Sequence, residues 1–284
     1  MGGLRLVLVC ENTAAGKGIL GEHGLCWWVS LQGKNLLFDT GQGMALDHNC
    51  EGLGLDLSRV DAVLLSHGHY DHVGGLENFL AKNSTCPVYL HAAALAPKFS
   101  RSRLNTPRQM SHPFLSRLGG ESLPGDRLRL ISNPAELIPG VYTTGYVPRV
   151  TTFEDAGGPF FLDESLQRPD PLEDDLSVYF ESREGVCVVL GCAHAGIINI
   201  LRHVRNLTDG KTIHAVYGGM HLLAASGERL ERTVEELRKL GSPLLFPNHC
   251  TGWKAILRLH EAFPQKVCPA SAGGEWNFES RKSN

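Results

Sequence analysis

The stretch "SHGHYDHVGG", residues 66–75, sets His67, His69, Asp71 and His72 directly behind the apolar run "VDAVLL" of residues 60–65. A short apolar run of this kind reads as a buried strand, and a packed core has no use for three imidazoles and a carboxylate at its end. A metal site does use them, because it needs Lewis bases on rigid backbone that converge from several elements. Gly68 lets the loop bend tightly. His67 and His69 can then serve one ion while Asp71 and His72, at the start of the next helix, serve a second. The bland alternative is a hydrogen-bonded polar cluster, and the density of donors weighs against it.

Outward from this stretch, short strand-like runs are punctuated by glycine: 4–10, 25–31, 35–39, 61–66 and 87–91. Val73, Leu76, Phe79 and Leu80 recur at helical spacing between the last two, predicting a helix packed on the sheet. The second half repeats the theme. "LSVYFES" and "GVCVVLG" precede a helix with Ile197, Ile198, Leu201 and Val204 on one face, and "IHAVYGG" precedes one with Leu230, Val234 and Leu237. "PLLFP" precedes a last helix carrying Trp253, Ile256 and Leu257. Strands followed by helices, twice over, predict sheets covered by helices on their outer faces.

The chain of 284 residues, 42% hydrophobic, is long enough to bury a full core, and one domain over 1–284 is the expectation. A formal net charge of -3 argues against a nucleic-acid partner, which would call for a basic stripe. No apolar run reaches the roughly 18 residues needed to cross a bilayer, so a cytoplasmic protein with no membrane partner is expected. The eight cysteines contain no C-x-x-C pair, and Cys10, Cys26 and Cys187 sit in apolar strand-like runs, in keeping with a reducing compartment. Residues 92–126 break the rhythm with prolines and with Lys98, Arg101, Arg103, Arg108 and Arg117. This insertion reads either as a solvated surface excursion or as a basic lid over an anionic substrate.

The motif at 66–75 resembles the H-x-H-x-D-H signature of metallo-β-lactamase-fold proteins, and "LLFDTG" at 36–41 resembles the aspartate motif that precedes it in that superfamily. The resemblance implies an α/β fold, a four-layer αββα sandwich with the site along one edge. The pattern "CENT", "TTGYVPR", "GCAHAGIINI", "YGGMHL" and "NHCTGW" is similar to a branch labelled dihydropterin ribofuranosyl-aminobenzene 5'-phosphate synthase-like, which implies phosphorylated or pterin-like substrates. Carried over residue by residue, the resemblance makes His194 and His249 ligands at further strand ends, and His221 either a ligand or a substrate or proton-transfer residue. His67, His69 and His194 would hold one ion and Asp71, His72 and His249 the other. Zinc is the expected metal, one or two ions, with manganese or iron as alternatives. Asp39 is cast behind the ligands, fixing the tautomer of one imidazole.

The chain departs from the pattern where the superfamily's bridging aspartate would fall, since Cys192-Ala193-His194 stands there and no bridging carboxylate is evident. Cys192 and Cys250 are alternative ligands that this reading sets aside. His91 is read as a packing residue and His112 as part of the lid. The expected activity is hydrolysis of a small anionic metabolite through a metal-bound hydroxide, with Asp71 and His221 as the catalytic pair. A methanopterin-type synthase or transferase, or a metal-bearing binding or redox-sensing protein, is the alternative. Asn12, Arg101, Arg103 and Arg149 are the candidate substrate contacts, with the bland readings of turn residue and solvated arginine beside them. A homodimer is the default expectation for a soluble enzyme.

Overall fold

The structure, a computed structural model, describes residues 3–118 and 126–279. The first half runs β1 (Leu4–Cys10), β2 (Cys26–Leu31), β3 (Lys34–Phe38), α1 (Leu46–Gly52), β4 (Ala62–Leu64), α2 (Tyr70–Val73), α3 (Leu76–Lys82) and β5 (Val88–Leu90). An excursion follows, with β6 (Phe99–Arg101), β7 (Pro107–Gln109) and α4 (Pro113–Leu118), before β8 (Leu128–Leu130), β9 (Ala135–Ile138), β10 (Val141–Thr143) and β11 (Phe160–Phe161). The second half then runs β12 (Val178–Glu181), β13 (Val186–Leu190), α5 (Ile197–Leu207), β14 (Ile213–Gly219), α6 (Gly227–Lys239), β15 (Leu244–Asn248), α7 (Trp253–Ala262) and β16 (Glu275–Phe278).

The strands form a seven-stranded sheet in the order β16-β1-β2-β3-β4-β5-β8 and a six-stranded sheet in the order β15-β14-β13-β12-β10-β9. Alternation along each strand divides the core into layers. Leu6, Trp27, Phe38 and Leu64 of the first sheet meet Val178, Phe180, Val189 and Tyr217 of the second in one buried cluster between the sheets. Their neighbours Val7, Trp28, Leu37 and Val63 face outward onto Leu46, Leu76 and Phe79 of the helices. Val188 and Val216 likewise pack on Ile197, Leu201 and Leu230. Two sheets face to face with helices outside are the αββα layering that the sequence predicts.

The direction of the strands decides where the site falls. β3, β4 and β5 pair in parallel, as do β13, β14 and β15. Parallel neighbours end at the same edge, so the segments after β3, β4, β13, β14 and β15 are brought to one rim.

The excursion is built differently from a solvated loop. β6 and β7 pair antiparallel with each other and β6 pairs with β11, making a third, three-stranded sheet. It is tied to the rim by a bridge between His69 and Ser111 and by the Tyr70 N–H donating to the Met110 carbonyl at 2.7 Å. Lys98, counted among the surface cations of this stretch from sequence, is fully buried. Its ammonium lies 2.9 Å from carboxylate oxygens of both Asp170 and Asp174. Asp174 also accepts the Gly68 N–H at 2.8 Å. A Cβ on Gly68 would press on the Ala94 carbonyl and on Lys98 Cε, so only glycine lets the histidine loop lie against this ion pair. Residues 119–125 of the predicted lid fall outside the described residues.

Burial opposes the charge on both partners, yet Lys98 is held above and Asp174 below its ordinary value because each faces the other. The depressed carboxyl adds stability that is lost as pH falls below about 4, and the raised ammonium adds stability that is lost as pH rises past about 10. Lys98→Met strands two buried carboxylates and is expected to cost about 3–5 kcal/mol of unfolding free energy at pH 7. Urea denaturation followed by circular dichroism measures this, with the deficit shrinking toward pH 4.

Candidate metal centre

Four turns at the rim share one backbone device. Asp39, Ala193, His221 and His249 all have positive φ, at 63°, 56°, 44° and 50°. Each lies just past the end of a strand: β3, β13, β14 and β15 respectively. Left-handed backbone at a non-glycine residue costs of order 1–3 kcal/mol and is kept where the fold over-determines it. Here it turns the chain sharply at the rim, where the donors gather.

The imidazoles are oriented from behind. His67 Nδ1 lies 2.8 Å from Ser66 Oγ, which donates to Asp39 Oδ2 at 2.7 Å. His72 Nδ1 lies 2.7 Å from the same Asp39 oxygen. The Asp39 Oδ1 atom accepts the Ser66 N–H at 2.6 Å. His194 Nδ1 meets the Ala156 carbonyl at 2.7 Å, and His249 Nδ1 meets Asn12 Oδ1 at 2.9 Å. In each of the four rings the outer nitrogen meets an oxygen, which turns Nε2 toward the interior of the cluster. Asp39 thus sits where the sequence places it, and it reaches two rings, one of them through Ser66.

On the inner side, His67 Nε2 lies 2.9 Å from His69 Nδ1, and His72 Nε2 lies 3.2 Å from His249 Nε2. Asp71 Oδ2 is 3.5 Å from His249 Nε2. Among the described residues, His69 Nε2, Asp71 Oδ1, His194 Nε2 and His221 Nδ1 are buried with no hydrogen-bond partner. Unmet polar atoms in that number are costly unless something else binds them. Neutral imidazoles, a carboxylate and thiols suit a divalent transition metal.

Three of the rings have the ionisation that metal ligands need. Burial together with the neighbouring imidazoles pushes His67 and His194 well below the usual histidine range, and burial takes His69 down to about 3. These rings are neutral, as ligands must be. Burial would raise Asp71, but the His249 hydrogen bond and the surrounding imidazoles hold it well below the carboxylate range. His72 departs from this pattern: Asp39 overrides burial and raises it to about 9, so a metal there would have to displace a proton from the ring.

Two residues enter that sequence reading set aside or passed over. Cys192, discounted as a ligand, has its sulfur 3.2 Å from His72 Nε2. Its Sγ belongs to one group of donors with His67 and His194, to another with His72 and His249, and to a third with His221 and Cys250, all within 4.8 Å of one another in each group. A thiol therefore stands between the two histidine sets, where no carboxylate was found. The only sequence signal was its place two residues before His194. His23 was missed. Its Nε2 lies 3.3 Å from Asp71 Oδ2 and its ring stacks on that of His249 at 5.6 Å. No local motif marks it, since the contact forms only when the loop before β2 folds over the rim.

His221 packs on His194 with ring centroids 4.3 Å apart. Asn12 is at the site, donating to the His249 carbonyl at 3.3 Å besides meeting its ring. The arginines stand apart from the cluster's hydrogen bonds. Arg101 bonds Asn105 at 2.6 Å and lies over the Phe161 ring, Arg103 is exposed in the β6–β7 turn, and Arg149 donates to the carbonyls of Pro171 and Leu172. Phe160 of the small sheet closes the roof, 5.0 Å from the His69 ring and 5.2 Å from that of His194. His91 and His112 each accept a backbone N–H two residues on, from Ala93 and Phe114, away from the cluster's own bonds.

Residues 20–249 match the Metallo-beta-lactamase superfamily. The chain belongs to that superfamily. Among its relatives, the 7,8-dihydropterin-6-methyl-4-(beta-D-ribofuranosyl)-aminobenzene-5'-phosphate synthase of Methanocaldococcus jannaschii is 28% identical over 264 residues, 89% of this chain and 88% of the synthase. The crystal structure of Tm1679, a metal-dependent hydrolase of the β-lactamase superfamily, superposes with a TM-score of 0.81 at 29% identity, covering 98% of this chain and all of that one. A diphosphatase from the PhnP family, at 15% identity and a TM-score of 0.54 over 98% of both chains, shares the fold alone. Metallo-β-lactamase-fold proteins bind divalent metals, and this member has clusters of histidine, cysteine and aspartate that could hold one.

Asp39→Asn is expected to lower metal affinity about 10 to 100-fold, measured by competition with a chelator. In cobalt-loaded protein, a thiolate-to-metal charge-transfer band is expected, and Cys192→Ser should remove it.

Proposed function

We propose that the protein is a metal-dependent hydrolase acting on a small anionic metabolite, phosphorylated or pterin-like. One observation carries this reading: four imidazoles, each anchored through its outer nitrogen, turn their inner nitrogens toward one another beside a carboxylate. His67, His69 and His194 would hold one ion, and Asp71, His72 and His249 a second, with the Cys192 thiolate available to both. Zinc suits this donor set best, with manganese or iron as alternatives. Such an ion supplies Lewis acidity and lowers the pKa of water to about 7.

The remaining chemistry belongs to the chain. Asp71 has Oδ1 free of protein partners, so it can accept a hydrogen bond from the attacking water and orient it. His221, whose ring packs on that of His194, would pass a proton to the leaving group. Phe160 excludes bulk water from above, which strengthens every electrostatic contact beneath it.

A cavity of about 500 Å³ opens beside His249, lined by Asn12, Leu223, Pro247, Trp253 and Ile256 among others. The sequence predicts a last helix carrying Trp253, Ile256 and Leu257. In the structure Ala255 and Leu259 are the buried residues of α7, while Trp253 is 69% exposed and borders the cavity. An indole and aliphatic walls beside polar groups suit a planar ring such as a pterin. The similarity to a synthase supports a second reading, in which the same centre stabilises the leaving group of a transfer reaction.

Turnover in water enriched with oxygen-18 separates the two: label in the product is expected for hydrolysis, and its absence supports transfer. His69→Ala or Asp71→Ala is expected to lower turnover by at least about 100-fold with little change in thermal stability.

A further inference from the structure

Arg229, in the first turn of α6, is buried with its side chain only 4% exposed. Its Nη1 donates to Asp155, but among the described residues Nε and Nη2 have no partner. A guanidinium carries five N–H donors in a rigid fork, and enclosing it with donors unmet is costly. The neighbouring Glu154 does not answer for them. Its carboxylate accepts the Ile198 and Asn199 N–H groups at 2.9 and 3.0 Å and the Thr151 hydroxyl at 3.0 Å, and so caps α5.

The partner Arg229 does have is an exposed one. The Asp155 side chain is 73% exposed, and its Oδ1 accepts both from Arg229 and from the Gly157 N–H, at 2.7 Å for the latter. Asp155, Gly157, Gly158, Ala224 and Arg229 line a cavity of about 320 Å³. The far side of this turn faces the metal centre: the Ala156 carbonyl holds His194, and a Cβ on Gly157, at φ 85°, would run into the His221 ring. The cavity therefore begins one residue away from the imidazole cluster. Leu223 lines the cavity beside His249 and Ala224 lines this one, so the 221–224 segment has a cavity on either hand.

We propose that the cavity at Arg229 is the subsite for an oxyanion of the substrate, a phosphate monoester group, which takes the place of the Asp155 carboxylate. The carboxylate marks the position, held by a guanidinium nitrogen and a backbone N–H as an oxyanion would be. Gly157 allows the close backbone approach, and the first turn of α6 adds the positive end of a helix dipole. Asp155 is exposed enough to turn into solvent when the anion enters, and the incoming anion keeps the buried guanidinium paired. Nε and Nη2 are closed off from solvent, so a phosphate oxygen in the place of the carboxylate meets Nη1 and the Gly157 N–H. The assignment rests on the reading above in that the anion belongs to the substrate of the metal centre. It moves anion recognition from Arg101, Arg103 and Arg149 to Arg229, which sequence did not single out.

The test is a calorimetric titration of the full-length protein, as isolated, with inorganic phosphate. Asp155→Asn, which removes the competing charge, is expected to tighten phosphate binding about tenfold, and Arg229→Gln to weaken it at least tenfold with metal content unchanged. Equal affinity in wild type and both variants would place phosphate on the metal or elsewhere and overturn the assignment. If Arg229→Gln unfolds, Asp155→Asn decides alone, because unchanged or weaker binding there has the same force. Loss of phosphate binding in Arg229→Gln from a protein that turns over no ester would keep the subsite and end the hydrolase reading. Turnover with phosphate binding indifferent to both residues would do the reverse.

Discussion

A single buried carboxylate organises the rim of this protein. Asp39 is fully enclosed, and it accepts the Ser66 N–H, the Ser66 hydroxyl and the His72 ring N–H. An ionised group without water survives only when its lone pairs are met in this way. In meeting them, it joins the end of β3 to the segment after β4 and sets which nitrogen of His72, and through Ser66 of His67, carries the proton. The left-handed backbone at Asp39 follows from the same constraint, since the side chain must turn back to reach the adjoining parallel strand. Donor geometry at the candidate metal centre is thus inherited from a hydrogen-bond network one layer behind it.

A second buried charge network performs the equivalent task from below. Lys98 with Asp170 and Asp174 ties the excursion between β5 and β8 to the segment before β12, and through the Gly68 N–H to the histidine loop itself. The small sheet of β6, β7 and β11 is therefore fixed to the rim rather than loosely tethered, and its Phe160 roofs the imidazoles. Its exposed arginines lie on the outer surface of that cover. Two cavities border the rim, one walled by Trp253 and the other reaching Arg229.

Membership of the metallo-β-lactamase superfamily accounts for the layering and for the H-x-H-x-D-H loop, and it leaves the reaction open, because the same fold and rim serve many chemistries. This chain sets a thiol between the two histidine sets and a half-exposed imidazole, His23, against Asp71. Sulfur favours thiophilic ions over oxygen-seeking ones, so a Cys192 that ligates would bear on which metal is selected.

The local order of the chain determined the two sheets, the helices that cover them and the run of donors at 67–72, because strand alternation, helical spacing and a four-donor loop are all written over a few neighbouring residues. The same was true of His194 and His249, each announced by the apolar strand before it. Tertiary structure alone decided the rest. Cys192, an alternative ligand in sequence, comes together with His67, His72 and His194 only in the fold, and His23 and Lys98 found their partners 48 and 72 or more positions away. The apolar face of α7 could not be read as cavity wall rather than core, since periodicity reports which residues share a face and not what that face meets. Composition and spacing name the donors; which of them share a point in space depends on parallel strands ending together, a property that no short segment carries.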